Sequence, residues 1–326
     1  MAMTEQLGFA SVFLGEGIGR NSRLDRIDSL IDWSAIVEIG RLARSGDWGR
    51  PPYPPLAMIK ALLLQQWYGL SDPGLEEALS DRVSFRRFCG LPLDGGTPDE
   101  TTLCRFRQTL TVKGLAEPIF AAVLAQLDAR GLVLRAGTIM DATVVASSVK
   151  TPRNFDTETR PQSPSTSPID PEASWTRGGV DRRSMFGYKA HVATDQGSGL
   201  IRKAILTTAK TYESEVADAL LSGDEQAVYA DKAYEKKARR QALKLAGVKD
   251  RILHRRHKHI AQLPHWQQVR NKLITPIRAQ IERTFAVFKR LYGWRRVRYI
   301  GVQANQAHLH LIATAFNLRR AIALTP

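Results

Sequence analysis

The spacing of apolar positions changes near the middle of the chain. Up to about residue 130 they recur every three to four residues, which is the period of amphipathic helices. "PPLAMIKALLLQQWYGL" (54–70) enters through a proline pair and stops at Gly69, the usual punctuation of a helix. "SDPGLEEALSD" (71–81) opens on Ser71 as an N-cap. "TPDETTLCRFRQTL" (97–110) pairs Thr97 with Glu100 three residues on, predicting a capping box. A further helix is expected over about 113–130. Residues 1–130 therefore predict an all-helical domain.

From Gly137 onward β-rich runs alternate with helical ones. "GTIMDATVVASS" (137–148), "YKAHVATD" (188–195) and "LIRKAILTTA" (200–209) read as strands. "TYESEVADALLSG" (211–223) reads as helix, "AVYADKAY" (227–234) as a short strand and "EKKARRQALKLAG" (235–247) as helix. "DRILHRR" (250–256) is a further strand, followed by "TPIRAQIERTFAVFKRLYGWRRVR" (275–298) and "NQAHLHLIATAFNLRRAIAL" (305–324) as helices. This alternation predicts a mixed α/β domain over 131–326. The Pro-, Ser- and Thr-rich stretch 151–183 has no sustained period and reads as a surface excursion after the first strand.

Charge sharpens the picture. The 326 residues carry a formal net charge of +15, and from Arg251 to the end there are fifteen Lys or Arg but one acid, Glu282. A field so one-sided is the footprint of a polyanion binder, with nucleic acid ahead of an anionic membrane surface. Cys89 and Cys104 are the only cysteines and neither sits in a CxxC, which suits a reducing cytoplasm and argues against zinc. No secretory leader or membrane span is read from the pattern.

Three carboxylates occupy unusual positions. Asp141 interrupts the apolar run Ile139–Val145, and Asp231 ends Val228–Ala230. Taken alone, each is better read as a turn or strand-end acid. On a helical wheel of about 100° per residue, Ile277, Ile281, Phe285, Phe288 and Tyr292 form the buried stripe, and Arg278, Glu282 and Lys289 share one flank. In isolation Arg278–Glu282 would be a surface pair worth about 0.3–0.5 kcal/mol. Its survival among fifteen bases points elsewhere. Carboxylates from two strands and a helix in a basic protein suit Mg²⁺, a hard ion that shares oxygen ligands with substrate phosphates. Two such ions about 3.5–4 Å apart serve phosphoryl transfer.

The order Asp141, Asp231, Glu282, with Glu282 inside Arg278-x3-Glu282-x6-Lys289, resembles the catalytic core of DDE transposases from bacterial insertion sequences, in particular the group centred on insertion sequence five. "PDETTLCRFR" (98–107), "FGYKAHVATD" (186–195) and "YADKAY" (229–234) are similar to segments of that group, and the resemblance covers about 40–320. It implies an RNase H-like mixed-sheet catalytic domain behind a helical domain that binds DNA ends and helps to dimerise. It also implies terminal-repeat binding, strand cleavage by water and strand transfer by a 3′-hydroxyl. The implied cofactor is two Mg²⁺ ions, replaceable by Mn²⁺, on Asp141, Asp231 and Glu282. The implied partners are double-stranded DNA at the ends and target, and a second copy of the chain in a dimer or larger synaptic complex. The implied location is the cytoplasm, at the nucleoid. Related signatures carry Tyr three residues before the Arg, where this chain has Thr275; the nearest tyrosines are Tyr234 and Tyr292.

Further DNA contacts are expected at Arg278, Lys289, Lys232 and Arg283 around the acids, at Arg255 and Arg256 in "HRRHKH", and at Arg295 and Arg296 in "WRRVR". Trp266 offers a platform for an unpaired base, or else anchors a loop. Arg105 and Arg107 supply bases to the helical domain. Two rival readings remain: an RNase H-like nuclease or resolvase that does not join ends, and a DNA-binding regulator whose acids are structural.

Overall fold

The computed structural model describes residues 19–43, 53–150, 167–177, 184–256 and 262–325. The chain forms two compact units: the helices up to Arg130 together with His310–Pro326, and Gly131–Leu309.

The first unit is helical: α1 (Ser22–Leu30), α2 (Ser34–Arg41), α3 (Pro55–Tyr68), α4 (Asp72–Asp81), α5 (Val83–Cys89), α6 (Glu100–Val112) and α7 (Ala116–Ala129). α3 is its centre. It starts at Pro55, stops at Gly69 in the left-handed region (φ 63°), and is buried on every side from Ala57 to Trp67. Its polar residues are buried with partners: Lys60 Nζ lies 2.5 Å from Asp28, beside the rings of Trp33 and Phe88. Ser71 caps α4 by accepting from Gly74 N–H, as expected. The expected capping box at Thr97 does not form. α6 begins at Glu100, and Asp99 is the cap, accepting from Thr102 N–H at 2.6 Å. A carboxylate next to the first helical residue outcompetes a hydroxyl two residues earlier.

The second unit is built on a six-stranded mixed sheet of β1 (Thr138–Ala146), β2 (Ser174–Arg177), β3 (Ser184–Asp195), β4 (Ile201–Thr208), β5 (Ala227–Ala230) and β6 (Lys249–Ile252). The order runs β2–β3–β1–β5–β6, with β4 also paired to β3. β2 and β4 pair with successive stretches of the long β3, at 184–187 and 188–194. β1 is antiparallel to β3 and parallel to β5, and β5 is parallel to β6. β2 lies inside the stretch expected to be a surface excursion; residues 151–166 and 178–183 of that stretch lie outside the described residues. A short helix α8 (Glu213–Val216) with a 3₁₀ turn, and α9 (Lys237–Leu245), follow β4 and β5. Val216, Leu220, Tyr234 and Leu243 cover Met140, Val228 and Ile252 on one face of the sheet.

The expected helix over 275–298 is broken. α10 (His265–Arg278) ends two residues past its internal Pro276, α11 (Ile281–Ala286) follows, and residues 287–291 form a wide π turn. Proline removes one hydrogen bond from the last turn. The chain then tightens through bonds three residues apart, Gln280 N–H to Ile277 O and Glu282 N–H to Ala279 O. Four of the five residues of the predicted apolar stripe, Ile281, Phe285, Phe288 and Tyr292, are buried, and Ile277, before the break, is half-buried. The last helix, α12 (Val302–Leu324), is buried on all sides from His308 to Leu318. Its part from His310 on belongs with the N-terminal helices, where Ala315 O accepts from Trp67 Nε1 and His310 stacks on Phe120.

Candidate active site

β5 stops at Ala230, opposite Met140 of β1. Asp141 and Asp231 are the next residues on each strand, so the two aspartates leave the paired region side by side at the carboxyl end of parallel strands. That end is where ligands bind in open α/β sheets. Beyond Met140, β1 has lost its parallel partner until Ala146, which bridges to Arg296. The freed edge faces α10 and α11.

Asp141 accepts from the N–H of Ala142 at 2.8 Å and from Arg278 Nη1 at 2.9 Å. The other guanidinium nitrogen, Nη2, reaches Glu282 Oε1 at 3.3 Å. Arg278 thus forks between an acid on β1 and an acid on α11, across the break between α10 and α11. Asp141 and Arg278 are 21% and 17% exposed, whereas Glu282 is 63% exposed. Burial pushes the Asp141 carboxyl up to about 6, against the Ala142 and Arg278 hydrogen-bond donors and with added repulsion from Asp231 and Glu282. The three acids therefore share one electrostatic neighbourhood.

A raised folded-state pKa means that Asp141 favours the fold when protonated. That contribution is complete below the unfolded value near 4 and is lost as pH rises through about 6. In metal-free protein, a ¹³C-carboxyl titration is expected to show Asp141 with a midpoint near 6. A midpoint below 4 would mean that Arg278, not burial, dominates the site.

Among the described residues, no three His, Cys, Asp or Glu side chains are gathered as a ready metal cage. The guanidinium of Arg278 stands between Asp141 and Glu282. The donor set still suits a hard cation: three carboxylates, one of them destabilised as an anion.

Lys232 and Arg283 are exposed beside the acids. Lys289 is half-buried, and burial, then Arg295, draw it below the ordinary lysine range. Arg295 and Arg296 are exposed at the far end of β1, where Ala146 N–H donates to Arg295 O. Arg255 and Arg256 follow β6 and Trp266 opens α10; residues 257–259 of "HRRHKH" lie outside the described residues. In the helical unit Arg105 is exposed, but Arg107 is a correction: its guanidinium is buried, bonded to Asp72 at 2.5 and 2.8 Å and to Gln65 at 3.1 Å, and is not available to DNA.

Tyr234 was not singled out as a site residue by its sequence context. Its hydroxyl is buried and has no hydrogen-bond partner among the described residues. Burial first, then Asp141, Glu213 and Asp231, raise its pKa well above the usual value. The one signal was the second tyrosine of "YADKAY". Thr275 does not take the place of the missing tyrosine, since its hydroxyl donates to Asn271 O one turn back.

Two family models match the chain. One, described as a transposase DDE domain, covers residues 135–318, and one described as a transposase domain (DUF772) covers residues 13–109. No solved structure matches the chain.

Proposed function

The chain belongs to the DDE transposases of insertion sequences, and we propose that it binds the terminal repeats of its element, cuts there and joins the freed 3′-hydroxyl to target DNA. The observation that carries this reading is the Arg278 fork between Asp141 and Glu282, with Asp231 in the same field. The sheet order, with β1 central between antiparallel β3 and parallel β5, supports an RNase H-like core. The strings at 98–107, 186–195 and 229–234 support placement in the group centred on insertion sequence five.

Asp141, Asp231 and Glu282 would hold the divalent cation, Mg²⁺ or Mn²⁺ and two ions in number, which when bound polarises the phosphoryl oxygen and lowers the pKa of the attacking hydroxyl. The chain's own residues set the geometry. Arg278 bridges Asp141 and Glu282 and offsets part of their negative charge before substrate arrives. Lys232 and Arg283 flank the acids and hold phosphates next to the scissile bond, and Lys289, Arg295 and Arg296 extend the track along β1. Arg105 contributes to end binding from the helical unit, with residues 131–309 as the catalytic part; the expected bound at 326 is shortened because the last helix from His310 on belongs with the N-terminal helices. Two ends must meet for joining, so a dimer or larger complex is the working form.

The test is a labelled duplex of the gene's own flanking DNA incubated with protein and Mg²⁺. Joined products are expected. Cleavage without joining would favour a nuclease or resolvase, and binding without cleavage in Mg²⁺ and Mn²⁺ would favour a regulator.

A further inference from the structure

The turn that carries Asp231 is held from behind. After β5 the chain makes the 3₁₀ turn Lys232–Tyr234, and the N–H of Tyr234 donates to the carbonyl of Asp231 at 3.0 Å. The carbonyl of Tyr234 accepts from Nη1 of Arg239, a buried residue of α9. The other nitrogens of Arg239 reach Asp218, from Nε at 2.6 Å, and the carbonyl of Ser214, from Nη2 at 2.6 Å. Ser214 and Asp218 belong to α8 and the 3₁₀ turn after it. The same helix starts at Glu213, whose Oε1 meets Lys189 Nζ of β3 at 2.9 Å. β3 pairs along the whole of β1, with Val192 opposite Asp141. One layer of hydrogen bonds thus joins the turn bearing the second aspartate to the strand beside the first.

Tyr234 is the inner end of that turn. It is fully buried in a cluster with Met140 and Ala230, the residues that precede Asp141 and Asp231. A phenyl ring would fill this place. The hydroxyl is buried there all the same, without a hydrogen-bond partner among the described residues. An unpaired buried hydroxyl destabilises a fold, so its presence calls for an account in terms of function. Its neighbours are acids: Asp141 acts on it most strongly, then Glu213 and Asp231, with Arg239 opposing them. Burial first, and these charges second, hold the phenol well above the usual tyrosine range, so it keeps its proton and is available as a donor. Asp141 accepts two hydrogen bonds, from Ala142 N–H and from Arg278, of the roughly four that a carboxylate can take. Carboxylates that hold a metal are themselves held by surrounding donors, and losing such a donor typically costs about 10–100-fold in metal affinity.

We propose that Tyr234 is a positioning residue of the acid site: its backbone N–H holds the Asp231 carbonyl, and its hydroxyl donates to the Asp141 carboxylate when the acids hold a divalent cation. The proposal rests on the transposase reading for the cation and goes beyond it in naming what aligns two of the ligands. Tyr234→Phe tests it, because the ring and the backbone bonds remain and only the hydroxyl is lost. The probe is Mn²⁺ added to the full chain without DNA, with free Mn²⁺ followed by electron paramagnetic resonance. Tyr234→Phe is expected to weaken Mn²⁺ binding about tenfold or more. Affinity for a duplex of the flanking DNA should stay within about twofold, and the melting temperature of the metal-free protein should be unchanged or higher, since the hydroxyl removed is unpaired there. Mn²⁺ affinity within about twofold of wild type would overturn the proposal. So would weaker Mn²⁺ binding accompanied by a lower melting temperature of the metal-free protein, which would make the hydroxyl a support of the fold. Absence of Mn²⁺ binding by wild type would remove the cation from the transposase reading, and the role of Tyr234 with it. Weakened Mn²⁺ binding in the variant, with no joined product from wild type, would support the proposal and count against the joining reaction alone.

Discussion

Asp141→Asn is expected to slow strand cleavage by at least about a thousandfold while leaving affinity for the DNA ends within about twofold. The change keeps the shape of the side chain and removes one negative charge and one anionic oxygen donor. Asp141 is the hub of the site. It lies on β1 where β5 stops, shares Arg278 with Glu282, and feels Asp231. A neutral amide there leaves two carboxylates, and the loss falls on the transition state, where charge on the phosphoryl group is greatest. A structural role would give a different result. Because burial pushes the Asp141 carboxyl up to about 6, ionising it at neutral pH works against the fold. Asn therefore should leave the melting temperature unchanged or raise it. Cleavage rates on a labelled duplex, gel-shift affinity and a melting curve separate these cases. Cleavage within tenfold of wild type would remove Asp141 from the catalytic set.

How far this site could be read in the sequence depends on the range of the interaction. Asp141 was visible because an acid inside Ile139–Val145 breaks a local apolar pattern. Glu282 was visible because it is the only acid after Arg251, and its i,i+4 link to Arg278 follows from helical spacing. The second arm of Arg278 was not legible: it spans 137 residues to Asp141 and exists only because β1 loses its parallel partner at Met140. The same division holds for the fold. α3 announces itself through Pro54–Pro55 and Gly69, which act within one turn. β2 has four residues and no alternation, and it is a strand only because Ser174–Arg177 meet Ser184–Gly187 of β3. A cationic cavity joins 235–240 to 254–256, so its parts looked like separate charged runs.

Arg107→Ala is expected to destabilise the helical unit by roughly 3 kcal/mol, the low end of what breaking a buried pair costs because Asp72 keeps some solvent. The guanidinium is 6% exposed and Asp72 28%. Two of its nitrogens bond the two Asp72 oxygens, and one also meets Gln65 Oε1, while Gln65 Nε2 donates to Asp72 at 2.6 Å. One side chain from α6 thus ties α3 to the first turn of α4. Truncation strands a carboxylate and a fully buried amide together. For a unit of this size the cost corresponds to a fall in melting temperature of roughly 6–12 °C. The neighbour two residues away supplies the control. Arg105 is exposed on the same helix, and Arg105→Ala should change stability by less than about 0.5 kcal/mol. Sequence alone treats the two arginines of "CRFR" as equivalent DNA contacts; helical geometry points them in different directions, and only one faces solvent. If Arg107→Ala melted like wild type yet lost affinity for DNA ends, the buried network would be the wrong account of this residue, and its place would be back among the DNA contacts.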